Sequence, residues 1–243
     1  MLKNDDLNAR TVAKSHLIKY ICDIMEKSEQ FKAIIFDMDG VIIDSESISD
    51  IVWEKAAVDF NIKMTIDILN SCRGSNKHDI LIKLANIYGQ DFDANGFLAR
   101  TGVYFDEIAR TKGIPLMPYA QEALSLLKPK YKIALASSTK GDDVRSELSA
   151  NGLLNFFETL TTGEQVVHSK PDPEIYLMAC KSIGLDPKEC IAVEDSTNGV
   201  KSASAAGLFT VMIPDKIQPT EEIKPLCDKI FPSLKEFTDY FIE

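Results

Sequence analysis

The sequence predicts a doubly wound α/β domain built on a parallel sheet, with an all-helical insert directly after the first strand. Three observations predict it. Short apolar runs, Ala33-Ile-Ile-Phe36 first among them, have the length and continuity of strands buried on both faces. Beyond residue 118 such runs alternate with helical spacing, which calls for a parallel sheet covered by helices on both faces. Between about residues 46 and 113 every periodic stretch is helical and none reads as a strand.

The elements follow in order. Leu17, Tyr20, Ile21, Ile24 and Met25 keep helical spacing, so residues 8–27 read as an amphipathic helix within an N-terminal extension, 1–30. It would pack on the domain surface or form a dimer or partner contact. Strand one ends at Asp37. Ile48, Ile51, Val52, Ala56 and Phe60 then place a helix over 47–60, and further helices fall near 65–71, 77–88 and 93–110. Gly113-Ile-Pro115-Leu-Met-Pro118 is a turn-rich junction. Helices follow at 119–128, 142–151, 173–183 and 197–206, interleaved with strands at 132–137, 159–162, 191–194 and 209–213. The domains are therefore 1–30, a core of 31–45 with 114–243, and an insert of 46–113. Ligands of open α/β sheets bind beyond the C-terminal strand ends. The insert would cover that edge as a lid hinged at Ser45–Glu46 and Gly113–Pro118.

Composition bounds the function. The 243 residues are 45% hydrophobic and 26% charged, enough for a substantial core. A formal net charge of −10 argues against a nucleic-acid partner, which would require clustered Lys and Arg. No apolar run approaches the ~20 residues of a membrane span, so no membrane partner is expected. The five cysteines, Cys22, Cys72, Cys180, Cys190 and Cys227, have no metal-ligand spacing and read as reduced thiols of a cytoplasmic protein. His16, His78 and His168 are too scattered for a zinc site. Oligomeric state is not legible.

The chemistry gathers at strand ends. Asp37 and Asp39 stand two residues apart where strand one stops, so both can face one site, and Gly40 gives a sharp exit. Paired carboxylates need a cation or a proton to relieve them. An Asp-Gly turn is also ordinary turn chemistry. Ser137-Ser-Thr139 ends a second strand, Lys170 lies in a proline-bracketed loop opening a helix, and Glu194-Asp195 ends another strand. Together they offer a nucleophile, a hydroxyl donor, a fixed cation and an acidic metal-ligand pair. The bland alternatives are helix N-caps for Ser138 and Thr139 and for the Glu194-Asp195 loop, and a solvated charge for Lys170.

In these four motifs and their order the chain resembles the haloacid dehalogenase superfamily, from about Phe31 to the C-terminus. Phe-Asp-Met-Asp-Gly-Val-Ile-Ile-Asp-Ser-Glu, Ser-Lys-Pro-Asp-Pro and Glu-Asp-Ser-Thr-Asn-Gly-Val look most like the subgroup of β-phosphoglucomutase and sugar-phosphate phosphatases. The resemblance implies a Rossmann-like core with a helical cap. It implies Asp37 as nucleophile forming an aspartyl-phosphate, Asp39 as general acid and base, and Ser137 and Lys170 as phosphate-binding groups. It implies Mg²⁺ held by Asp37, Asp195 and the backbone carbonyl of Asp39, with Glu194 holding a metal-bound water or supporting the ligands. The expected substrate is a small phosphorylated metabolite, foremost a sugar phosphate. Arg73, Lys77 and Lys140 are further substrate candidates, and Arg73 could instead be an exposed lid charge. The mutase branch carries a lid-side histidine where this chain has Ser49, so hydrolysis is the leading expectation and phosphoryl return to sugar the second. A non-catalytic binding protein would have no need of Asp39.

Overall fold

The computed structural model describes residues 30–73 and 77–242. The helix expected at 8–27 lies outside them, as do Cys22 and His16. Six strands form one all-parallel sheet: β1 (Ala33–Phe36), β2 (Lys132–Ala136), β3 (Thr159–Thr161), β4 (Cys190–Glu194), β5 (Phe209–Met212) and β6 (Lys229–Ile230). Their spatial order is β3-β2-β1-β4-β5-β6, each pair parallel. β1 therefore lies between β2 and β4, with Phe36 opposite both Leu135 and Val193. This register levels the three strand ends. Asp37, Ser137 and Asp195 are each the first residue past their strand.

Strand alternation sorts the core into two layers. Ile34, Phe36, Ile133, Leu135, Ile191 and Val193 share one buried cluster with α5 (Ala120–Leu127) and α9 (Leu234–Ile242). Ala33, Ile35, Ala134, Ala136 and Ala192 face the other way, against α7 (Glu174–Ser182) and α8 (Thr197–Ala206). The small side chains on that face let α7 approach the centre of the sheet. This brings the ring of Tyr176, fully buried, under the C-terminal edge of the sheet.

The insert is α1 (Ser45–Asp59), α2 (Ile66–Cys72), α3 (Lys77–Tyr88) and α4 (Ala94–Lys112). The carboxylates of Asp44 and Asp93 cap α1 and α4, accepting from Ser47 N at 3.1 Å and Gly96 N at 2.8 Å. An aromatic core joins α1 to α4: Trp53 and Phe60 meet Phe97 edge-on, with ring centroids 5.3 and 5.6 Å apart. The two connections to the core are bonded to each other. Asp44 N donates to Pro115 O at 2.8 Å and Met117 N to Ile42 O at 2.9 Å. Gly113 at φ +73° closes α4, a conformation that favours glycine.

Within the described residues every expected helix and strand occurs, with ends displaced by a residue or two. Two others were not expected. β6 has only two residues, too short to carry a pattern. Helix α9 did carry one: Leu234, Phe237 and Phe241 are buried at helical spacing against Phe36 and Phe231. Among the described residues no helix is long and apolar enough to cross a membrane.

Candidate active site

A cavity of about 380 Å³ opens at the C-terminal edge of the sheet, between core and insert. Asp37, Asp39, Ser138, Lys170, Asp195 and Arg73 are among its walls. The sheet register explains the meeting of the first five. Adjacent strands deliver Asp37 and Asp39 from β1, Ser138 from β2 and Asp195 from β4, and Lys170 enters from the loop before α7.

Lys170 is the hub. Its Nζ stands 2.9 Å from Asp37 Oδ1 and 2.6 Å from Glu194 Oε1, and it donates to Ala136 O at 3.0 Å. The loop that holds it is itself anchored. Glu174 accepts from the N–H groups of Val167 and His168 at 3.0 and 2.8 Å, and Ser202 Oγ donates to Asp172 O at 2.6 Å. Lys170 is thus a buried, fixed cation and not a solvated charge. Burial works against its ammonium, but Asp37 and Glu194 outweigh that and hold its pKa above the ordinary lysine value.

Glu194 is fully buried. Its Oε1 accepts from Lys170 and from Tyr176 Oη at 2.7 Å, and its Oε2 from Ser196 Oγ at 3.2 Å. Space here is tight: a Cβ on Gly199 would fall 1.9 Å from the Glu194 carboxylate. Asp195 is equally confined. Gly40, at φ +72°, lets β1's exit loop pass so close that a Cβ there would lie 2.4 Å from Asp195 Oδ2. Asp195 does not cap the next helix. Ser196 does, accepting from Gly199 N at 3.1 Å, and the Asp195 carboxylate faces the cavity.

The hydroxyl cluster corrects the N-cap reading of Ser138 and Thr139. Helix α6 (Gly141–Ala150) is capped by neither residue; Glu164 from another loop accepts from Gly141 N at 2.9 Å. Thr139 Oγ1 donates to Asp39 Oδ2 at 2.8 Å, and Ser138 lines the cavity. Ser137 is fully buried at the end of β2, its Oγ accepting from Thr139 N at 3.0 Å.

Two substrate candidates stand apart. Lys77 is exposed at the start of α3, and Lys140 lines a separate surface hollow with Asp142, Asp143 and Glu164. Neither residue lines the catalytic cavity, although each stands at the start of a helix. Arg73 does line it, and it is not the exposed lid charge. Its side chain is 7% exposed, and it pairs with Glu46 at 2.7 Å and with Asp50.

Electrostatics marks the acidic cluster. Burial, then Glu194 and Asp39, push the Asp37 carboxyl up to about 7 despite the pull of Lys170. Burial, then Glu194 and Asp37, push Asp195 well above the carboxylate range. Asp37, Glu194 and Asp195 each bring one oxygen within 4.8 Å of the others. Crowded, desolvated like charges with oxygen donors only are the chemistry of a hard divalent cation, and these residues fit Mg²⁺. Both Glu194 oxygens already accept hydrogen bonds, so Asp37 and Asp195 are the carboxylates best placed to ligate.

Comparison with known proteins gives the family. A family model described as haloacid dehalogenase-like hydrolase matches residues 34–213. The chain belongs to the haloacid dehalogenase-like hydrolase family. It is similar to hexitol phosphatase B of Escherichia coli (strain K12), 30% identical over 221 residues that cover 88% of this chain and 97% of the relative. It is also similar to a phosphorylated carbohydrates phosphatase of Thermotoga maritima, 30% identical over 73% of this chain and 82% of that one. Among solved structures, β-phosphoglucomutase from Clostridium difficile superposes with a TM-score of 0.66 over 87% of this chain and 97% of that chain. At 22% identity that match shows the fold: a family core with a helical cap. The doubly wound core and inserted cap expected from sequence are those of the family.

Sequence reasoning missed Thr139, Tyr176, Glu46 and Lys216. Lys216 and Ser169 also line the cavity. Glu46 carried a signal as the last residue of the first motif, and Thr139 as a member of the hydroxyl cluster that follows β2.

Proposed function

We propose that this family member is a Mg²⁺-dependent phosphatase that hydrolyses phosphate monoesters of sugars and sugar alcohols through an aspartyl-phosphate on Asp37. The observation that carries the reading is the pairing of two carboxylates with separate duties. Asp37 is salt-bridged to Lys170, and Asp39 is held by Thr139 on the same cavity wall.

In the first half-reaction a carboxylate oxygen of Asp37 attacks phosphorus. The bond from phosphorus to the sugar oxygen breaks, and Asp39 donates its proton to that oxygen. In the second, Asp39 takes a proton from water as the water oxygen attacks the same phosphorus. The acyl–phosphate bond breaks, inorganic phosphate leaves, and Asp37 is regenerated. Lys170 neutralises charge on the phosphoryl oxygens and on the nucleophile, and the hydroxyls of Ser137 and Ser138 are the polar donors nearest the β2 end. Asp37, Asp195 and the Asp39 carbonyl would hold Mg²⁺, which screens phosphoryl charge when bound.

The similarity to a hexitol phosphatase and a carbohydrate-phosphate phosphatase supports phosphorylated sugars and polyols as substrates. Ser49 supports hydrolysis over phosphoryl return, since the mutase branch carries a histidine at that lid position. A phosphate-release screen over sugar phosphates, hexitol phosphates, phosphoglycolate and nucleotides tests the proposal, run with Mg²⁺ and with excess chelator. Release from sugar or hexitol phosphates only with Mg²⁺ is expected. Isomerisation that depends on an added sugar bisphosphate would replace phosphatase by mutase.

A further inference from the structure

Beyond the catalytic cavity lies a second one, about 200 Å³, wholly within the cap. Glu46 and Arg73 belong to the walls of both cavities, so they form the partition between them. Ser49, Asp50 and Trp53 complete the polar and aromatic lining of the cap side.

A buried arginine beside a phosphatase site invites the role of receptor for a second phosphate. The hydrogen bonds of Arg73 argue against it. Nη1 donates to Glu46 Oε2 at 2.7 Å, Nη2 donates to Asp50 Oδ1, and Nε donates to Asn70 Oδ1 at 3.0 Å. The three nitrogens of the fork are each committed to an acceptor of the cap itself. One guanidinium against two carboxylates leaves the trio with a formal excess of one negative charge. Asp215, in the loop after β5, adds a carboxylate whose buried Oδ2 accepts no hydrogen bond. Of the other cations of the catalytic cavity, Lys170 is bound to Asp37 and Glu194, whereas Lys216, exposed and close to Asp215, donates to the neutral Ser47 Oγ at 3.3 Å.

We propose that the Glu46–Arg73–Asp50 trio is a specificity device: it admits a neutral, hydroxyl-bearing leaving group and rejects substrates with a second phosphate. The carboxylates accept from substrate hydroxyls, with Arg73 holding both in place. The Ser49 hydroxyl adds a donor and acceptor, and the Trp53 indole offers a face to the C–H side of a sugar or polyol chain. A phosphate dianion in the same place would meet like charge and would have to strip Arg73 from its partners. This rests on the proposed phosphatase reading for the position of the first phosphate.

The test is a matched pair: a hexitol 6-phosphate and the corresponding hexitol 1,6-bisphosphate. Binding to the full-length Asp37→Asn protein is measured by calorimetry with Mg²⁺, where no turnover intervenes. The monophosphate should bind at least about tenfold more tightly. Glu46→Gln combined with Asp50→Asn, in the same background, releases the guanidinium. It should weaken the monophosphate and strengthen the bisphosphate, so that the ratio narrows or inverts. Circular dichroism confirms that the variant is folded, and the ratio for the parent protein stands as a test without it. Equal or tighter binding of the bisphosphate by the parent protein overturns the proposal and leaves Lys216 on the cavity wall, or Lys77 beyond it, to meet the second phosphate. Wild-type phosphate release from the monophosphate is followed separately. Its absence, with the binding preference intact, would fault the catalytic reading and not the selectivity.

Discussion

Thr139 donates its hydroxyl to Asp39 at 2.8 Å across the gap between β2 and β1. The bond fixes one carboxylate oxygen and leaves the other turned to the cavity. Removing it should loosen the proton donor without touching the nucleophile. Thr139→Val is therefore expected to lower kcat about tenfold on sugar phosphates, whose leaving oxygen needs a proton. It should have much less effect on p-nitrophenyl phosphate, whose leaving group does not. Steady-state kinetics on both substrates checks this, and an equal loss on the two would make Thr139 merely structural.

Asp37→Asn preserves shape and removes the nucleophilic charge. Turnover should fall by more than about a hundredfold while the circular dichroism spectrum is unchanged. A variant keeping more than about a hundredth of wild-type activity would falsify the nucleophile assignment. Asp39→Asn should instead still take phosphate from a substrate with a good leaving group and release it slowly, which rapid-quench labelling would show.

If Asp37 and Asp195 hold Mg²⁺ as proposed, metal and proton must compete for the same carboxylates. Asp37 in the folded, metal-free protein sits at about 7, against an ordinary 3.8. Across that window the folded protein holds a proton that the unfolded chain has lost, so stability present at low pH drains away as pH rises toward 7. With chelator present, Tm should fall between about pH 4 and 7. Mg²⁺ should raise Tm more at pH 8 than at pH 5. An equal Mg²⁺ effect at both pH values would remove Asp37 from the binding site.

Glu147 gives a separate pH signature. Its Oε2 is buried without a hydrogen-bond partner, and burial, then Asp39 and Asp143, push its carboxyl up to about 7. The same sign applies: its ionisation costs folded stability as pH rises through 7. Glu147→Gln should be more stable than wild type at pH 8, by about 1 kcal/mol after allowance for solvent screening. At pH 5 the two should match. Urea denaturation at both pH values decides, and a variant less stable at pH 8 would show that the ionised carboxylate has a favourable partner.

The cap's two connections run side by side, tied by Asp44–Pro115 and Ile42–Met117 bonds, so any closure must bend both together. Gly113 is the point where a side chain would resist, at φ +73°. Gly113→Ala should change kcat and KM together, as hinge substitutions do. Unchanged kinetics, with unchanged hydrogen exchange at 44–46 and 113–118, would make the cap a fixed wall.

Much of this was legible in the sequence because it is local. Asp37, Asp39 and Asp195 are set by strand ends, which are written in short apolar runs, and Lys170 by the proline-bracketed loop that opens α7. The sequence order of the motifs also reflects the sheet, since adjacent parallel strands must be joined by long crossovers. What stayed hidden is relational. Thr139 looks like a helix cap until Glu164, 23 positions beyond Gly141, is seen doing that work. Tyr176 looks like one more apolar helix position until its hydroxyl is found on Glu194. Arg73 reads as a free cation because its two carboxylates lie 23 and 27 residues back. Lys77 and Lys140 misled for the converse reason: charge is visible in sequence, but the cavity wall a charge belongs to is not. Helix α9 was readable from its aromatic spacing and was overlooked.

The central place of β1 has a consequence for how the protein is made. β1 precedes the other five strands in the chain, yet its two neighbours are residues 132–136 and 190–194. During synthesis, which proceeds from the N-terminus at ~5–20 residues per second, the strand bearing Asp37 emerges with both edges unpaired. It waits through the translation of the whole insert. The first neighbour arrives with β2, Lys170 some 34 residues after Ala136, and Asp195 only after β4. A nascent chain therefore carries Asp37 for most of translation with neither the Lys170 ammonium nor Glu194 and Asp195 beside it. The cluster is complete only once β4 has been made and has paired with the open edge of β1.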